Sequence, residues 1–211
     1  MQFLIDLFLH LDTVLASWTA MYGLWIYAML FLIIFCETGL VVTPFLPGDS
    51  LLFTAGAIAA VGGGLDVWIV LVILIVAATL GDNVNYSIGR RFGRGLIDSG
   101  RIARVVKPEY IQRTDAFFEV HGGKTITLAR FFPIIRTIAP FLAGIGEMHW
   151  RRFMAFNFVG AVVWVSAFVF VGFFFGTIPI VRDHLSLMAL GIVSLTLIPI
   201  IIHMVRSRWH G

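Results

Sequence analysis

The chain has 211 residues, 59% hydrophobic and 13% charged, where soluble domains run roughly 45–50% apolar and about 25% charged. That excludes an ordinary soluble domain and describes an integral membrane protein of a few spans, read as one domain over residues 1–211. The net charge of +3 sits beside apolar segments, which removes nucleic acid as a partner, and the single cysteine, Cys36, excludes a disulfide framework.

Residues 1–20 place Gln2, Asp6, His10, Thr13 and Ser17 every three to four positions, with Phe3, Leu4, Leu7, Phe8, Leu11, Val14, Leu15 and Trp18 opposite. This spacing predicts an amphipathic helix lying in the membrane interface. It is not a signal peptide, because no basic segment precedes the apolar face. Tyr22–Cys36 is apolar but short for a span, and it stops at Glu37. Residues 37–60 are apolar yet broken by Pro44, Pro47, Gly48 and Asp49, which predicts a first re-entrant hairpin. Val67–Leu80 is the next span, extendable into Gly81–Gly89; Gly81-Asp82-Asn83 reads as a span terminus.

Residues 82–124 hold eight of the fifteen Lys and Arg residues, so they are expected to form a cytoplasmic basic loop. Within it, Pro108 and Glu109 open a surface helix that Gly122–Gly123 ends. Residues 125–147 are the second broken stretch. They carry Arg130 and Arg136 among apolar residues, with Pro133, Pro140 and Gly144. An arginine at bilayer depth costs about 2.5–3.5 kcal/mol and marks a substrate or ion pathway. The expectation is a second re-entrant hairpin holding two cations; the alternative is an interfacial loop whose arginines reach the headgroups. Trp150, Arg151 and Arg152 form an aromatic and cationic anchor. Residues 153–175 and 185–204 are further spans, Gly172 and Gly176 make a GxxxG that is either a helix-packing face or ordinary small-residue use, and Asn157 is expected to bond a neighbouring helix. Arg206 and Arg208 hold the C-terminus in the cytoplasm.

The two broken stretches resemble each other: Thr43–Gly48 reads TPFLPG and Ala139–Gly144 reads APFLAG. Pro44 and Pro140 are thus equivalent and are expected at the two hairpin tips. The charge distribution makes the arginine hairpin enter from the cytoplasm and the Glu37/Asp49 hairpin from outside. The fold class is therefore an all-α integral membrane protein, an inverted repeat with two opposed re-entrant helical hairpins, about three to four full spans and interfacial amphipathic helices.

Two hairpin tips meeting near the midplane would bring Arg130 and Arg136 toward Glu37 and Asp49, a neutral set that tolerates burial. Burial opposes ionisation of a carboxylate and a neighbouring arginine favours it, so the acids can be poised to exchange protons. Arginines released by protonation bind a phosphate through forked hydrogen bonds. The residues thus point to proton-coupled binding of a phosphate-bearing lipid, with a purely structural charge network as the alternative. No cofactor is implied. The six histidines lack metal-ligand spacing, so no metal is expected, and neither a serine-hydrolase elbow nor a Walker motif is present.

Three motifs carry a resemblance: FCETGLVVTPFLPGDSLLF (Phe35–Phe53), GDNVNYSIGRRFG (Gly81–Gly93) and HGGKTITLARFFPIIRTIAPFLAG (His121–Gly144). Over nearly the whole chain the sequence resembles the DedA family, also called the SNARE-associated or VTT-domain family. The resemblance implies a multi-pass bacterial inner-membrane protein with two opposed re-entrant hairpins. Family members return undecaprenyl phosphate across the membrane or move phospholipids such as phosphatidylethanolamine, and eukaryotic relatives are scramblases. They are linked to proton-motive force, envelope integrity and drug or peptide resistance. The family acids match Glu37 and Asp49, and its arginines match Arg130 and Arg136.

The expected function is a lipid flippase linked to proton-motive force, with undecaprenyl phosphate as the leading cargo. Its partners are protons and membrane lipids, and self-association into a homo-oligomer stays open. A phosphatidylethanolamine flippase or scramblase is the nearest alternative. A proton-coupled antiporter for small cations or drugs is disfavoured by two intramembrane arginines. A lipid phosphatase would need a nucleophile or base beside them, where only Thr125, Thr127 and Thr137 offer hydroxyls. A non-transporting scaffold would not need buried charge. The expectation is that the protein is not an enzyme.

Overall fold

The computed structural model describes residue 21 and residues 23–39, 48–98 and 122–178, and these form helices joined by turns. In chain order the helices are α1 (Trp25–Gly39), α2 (Gly48–Ala60), α3 (Val67–Asp98), α4 (Lys124–Ala129), α5 (Pro133–Ile145) and α6 (Trp150–Phe175). The expected N-terminal helix over 1–20, Pro44 and Pro47, the surface helix after Pro108 and the span over 185–204 lie outside the described residues.

Among the described residues, two helices are long and apolar enough to cross a membrane: Val67–Phe92 within α3, and Trp150–Phe175. On α3, Val72, Val76, Leu80 and Val84 recur every fourth residue and are all exposed, so they make one outward apolar stripe. Phe158, Val159, Val163, Val171 and Phe174 do the same for α6. Such surfaces suit lipid, since large exposed apolar patches are rare on soluble monomers.

The chain divides into two compact units. One takes in Met1–Met29, Pro47–Leu71 and Ser166–Gly211, the other Leu30–Leu46 and Val72–Val165. In the first unit, α2 packs on the end of α6. A Cβ added at Gly172 would overlap the backbone oxygen of Phe53, and one at Gly176 would overlap Ala57. The GxxxG pair is thus a helix-packing face, because only a missing side chain lets two backbones come this close. Asp66 caps α3, its Oδ1 accepting from the backbone N–H of Trp68 (2.8 Å) and Ile69 (3.1 Å). The Tyr27 hydroxyl in turn accepts from the Asp66 N–H at 2.8 Å.

The second unit is built on α3. Tyr86, Ile126, Ala129, Ala139, Ala143 and Phe153 form its core, with the Tyr86 ring stacked on Phe153 at 4.3 Å between centroids. The Tyr86 hydroxyl donates to the Met148 carbonyl and accepts from Arg90 Nη1 at 3.1 Å, tying the loop before α6 to α3. Gly144 sets the approach of α5 to α3, since a Cβ there would run into the Tyr86 carbonyl.

Three expectations change. Residues 82–98 are helix, not loop: α3 continues for 32 residues to Asp98, because Tyr86 has a core to enter and Asn85 finds carbonyls to bond. Glu37 does not begin a hairpin; α1 runs on through it to Gly39, and the Thr38 hydroxyl bonds back to the Ile34 carbonyl at 2.9 Å. Pro140 is not at a tip. The break between α4 and α5 falls at Arg130–Phe132, and Pro140 lies inside α5. Pro133 occupies the first helical turn, where its missing N–H costs nothing, and Phe132 before it is extended at φ −115°, ψ 109°. Pro140 loosens the helix one turn back, and there the Asn85 side-chain amide donates to the Thr137 carbonyl at 2.8 Å.

Candidate functional site

The second unit buries two arginines, two carboxylates and the amide groups that hold them. Each arginine arrives by a different local device. Arg130 is the residue at which α4 ends, in the turn before Pro133. Arg136 lies in the first turns of α5. Glu37 is in the last turn of α1, and Asp82 projects from the middle of α3.

Arg136 Nη2 donates to Glu37 Oε1 as an ion pair, with the arginine side chain 12% and the glutamate 1% exposed. Arg130 Nη2 donates to Asp82 Oδ2, and both side chains are 5% exposed. The same nitrogen lies 2.7 Å from Asn157 Oδ1 and 3.4 Å from the Ala78 carbonyl. Asn157 is oriented by its own Nδ2, which donates to the Thr79 carbonyl at 3.1 Å, so its oxygen faces the guanidinium. Both guanidinium groups also face one buried indole: Trp164 lies 5.7 Å from Arg130 and 5.0 Å from Arg136, centroid to guanidinium carbon. Cation–π attraction of this kind strengthens where water is excluded.

Asn85, fully buried on α3, joins the backbones that carry the Glu37–Arg136 pair. Its Nδ2 donates to Thr137 O, next to Arg136, and lies 3.4 Å from Thr38 O, next to Glu37. The Asn85 amide thus supplies a donor to a carbonyl in the last described turn of α1. A Cβ at Gly81 would strike the Thr38 hydroxyl, so α1 reaches α3 only because residue 81 is glycine. Between the ion pairs is a narrow cleft of about 10 Å³, roughly the room one water needs, lined by Thr38, Asp82, Arg130, Arg136, Thr137 and Trp164.

Of the residues singled out from sequence, the structure joins Glu37 to Arg136 and puts Arg130 on the same indole. Asp49 is placed in the first turn of α2, in the other compact unit, and Gly48 opens that helix. The carboxylate on Arg130 is Asp82, a residue read from sequence as a mere span end. The signal that could have found it is an acid four residues beyond Ala78 in a helix still apolar enough to lie in the membrane, since intramembrane acids are rare and paired. Asn157 bonds the neighbouring helix as expected and holds Arg130 as well. Trp164 had no signal, being one aromatic in an apolar run. Among the described residues, no group of three or more His, Cys, Asp or Glu side chains could hold a metal ion.

Residues 46–174 match the VTT domain. Protein DedA of Escherichia coli K12 is 52% identical over 207 residues, covering 98% of this chain and 94% of that protein. The chain belongs to the DedA family. Other members similar to it include an uncharacterized membrane protein of Mycobacterium leprae, ML0287, 41% identical over 92% of this chain and 86% of its own. The inner membrane protein YghB of E. coli K12 is 37% identical over 75% of this chain and 72% of its own. No solved structure matches the chain. The latter two relatives are named as membrane proteins, and with the apolar outer faces of α3 and α6 the chain is a membrane protein of this family.

Proposed function

We propose that this protein is a flippase linked to proton-motive force, moving a phosphate-bearing lipid, undecaprenyl phosphate foremost, across the bacterial inner membrane with its C-terminus in the cytoplasm. The observation that carries the reading is the pair of buried arginines on one indole, each held by a carboxylate. Forked guanidinium groups converging on one cleft suit the tetrahedral oxygens of a phosphate. In the resting arrangement the four charges cancel, so an anion gains little by entering. Proton uptake by the acids, Glu37 on Arg136 and Asp49 on the other proposed hairpin, would expose net positive charge on one side of the membrane. Loss of those protons on the other side would restore the ion pairs and expel the cargo.

A carrier is favoured over a phosphatase by the hydroxyls at the cleft. The Thr38 hydroxyl donates to the Ile34 carbonyl, and no histidine lines the cleft to activate it or Thr137. Cationic cargo is disfavoured by the two arginines.

The test is the purified protein in liposomes, scored for transbilayer movement of undecaprenyl phosphate and of phosphatidylethanolamine with and without a pH gradient. Gradient-dependent movement of undecaprenyl phosphate, absent in Arg136→Lys, is the expected result. Movement of neither lipid above protein-free vesicles would overturn the proposal. Movement of phosphatidylethanolamine alone would reassign the cargo to a phosphodiester.

A further inference from the structure

We propose that Asp82 is a second acid gate on the phosphate site, and that two gates, one per arginine, fit the site to a dianionic phosphomonoester over a monoanionic phosphodiester. The inference rests on the phosphate reading above and specifies its regulation and substrate class.

The argument begins with how Arg130 is held. Asp82 shares it with two neutral acceptors, Asn157 Oδ1 and the Ala78 carbonyl, and with the Trp164 face. Asn157 is itself fixed by the Thr79 carbonyl. Neutralising Asp82 therefore leaves the guanidinium held where it is and changes only the net charge. Among the described residues, the charged groups facing Asp82 are few. The α4–α5 turn contributes Arg130, α5 contributes Arg136, and α1 contributes Glu37 through Arg136. The facing side chains of α6, Asn157 and Trp164, do not titrate.

Charge counting then selects the cargo. With Glu37 and Asp82 both ionised the cluster is neutral; with one neutralised it carries one positive charge, and with both, two. A phosphomonoester carries about −1.5 to −2 charges near pH 7, whereas a phosphodiester carries a single negative charge. One gate would suffice for a diester. Two gates around a shared indole match a monoester, each arginine passing from its carboxylate to a phosphate oxygen.

The test measures binding of short-chain phosphatidic acid, a monoester, and phosphatidylglycerol, a diester, to the full chain in detergent at pH 7.5, where the ligand's ionisation is common to all variants. Asp82→Asn keeps an acceptor for Arg130 and should bind phosphatidic acid about tenfold more tightly than the wild type, with a smaller gain for phosphatidylglycerol. Combining it with Glu37→Gln should add a further gain for the monoester. Asn157→Asp places a second carboxylate on the same guanidinium and should weaken phosphatidic acid binding by about the same factor, so the idea remains testable if Asp82→Asn does not fold. Unchanged or weaker binding in a folded Asp82→Asn, or unchanged binding in Asn157→Asp, would overturn the gate while wild-type binding that is lost in Arg136→Lys left the phosphate site standing. Binding of neither lipid by any variant would overturn the phosphate site and the gate with it.

Discussion

In the first unit, Gly172 lets α6 meet the backbone of Phe53, and what α2 buries is mostly apolar: Leu52, Phe53, Ala55, Ala57 and Ile58, with the uncharged hydroxyls of Ser50 and Thr54. In the second unit, Gly144 and Gly81 use the same device on α3, yet the space they close holds two arginines, two carboxylates and two asparagines. The described part of the first unit has Asp49 and Asp66 and no lysine or arginine. Missing side chains bring backbones together in both. Only in the second does close approach also supply backbone carbonyls and amides to charges that could not otherwise be buried. Close packing is therefore general to this fold, and the charged cluster is what the second unit adds.

The strongest way to break this contrast is Arg130→Ala. It leaves Asp82 buried without its cation, which should cost about 3–5 kcal/mol in denaturant unfolding and abolish transport. A loss under about 1 kcal/mol would mean that the second unit does not depend on its charges for folding.

Gly144→Ala and Gly172→Ala sharpen the comparison. Each pushes a Cβ into a facing backbone, so each should destabilise by about 1–3 kcal/mol. Transport per folded molecule should fall in Gly144→Ala, which shifts α5 and Arg136, and hold in Gly172→Ala. Equal transport losses in the two would show that the cluster has no privileged link to function.

Arg136→Lys keeps the charge and removes the planar fork. Transport should drop at least about tenfold at matched membrane abundance, with little change in melting temperature. Normal transport in this variant would exclude bidentate phosphate recognition.

The smallest effects on folding are expected from Glu37→Gln and Asp49→Asn, which mimic protonated acids without changing shape. Both should fold, transport slowly and show a weaker pH dependence of transport, because each removes one of the carboxylates that exchange protons. Wild-type rates with unchanged pH dependence in both would remove these acids from the coupling mechanism.

Much of this was legible in the sequence because membrane burial makes charge expensive. Arg130, Arg136 and Glu37 stand out from apolar surroundings for that reason alone, and the Gly172/Gly176 spacing admits a packing face. The position of the break between α4 and α5 was less legible. Pro133 and Pro140 carry the same local bias, yet only Pro133 stands at the break, and Pro140 is held inside α5.

What the sequence determined by itself is membrane residence, the helical class and the presence of buried cations, since these follow from composition and from the local rules of proline, glycine and charge. Which carboxylate meets which arginine was decided only in three dimensions. Asp82 lies 48 residues before Arg130, and Glu37 lies 99 before Arg136. Nothing local to either acid says which arginine it meets. Trp164 is likewise one aromatic among many until α6 sets its ring against both guanidinium groups. Pairing of this kind depends on helix register and close approach, which no run of neighbouring residues encodes.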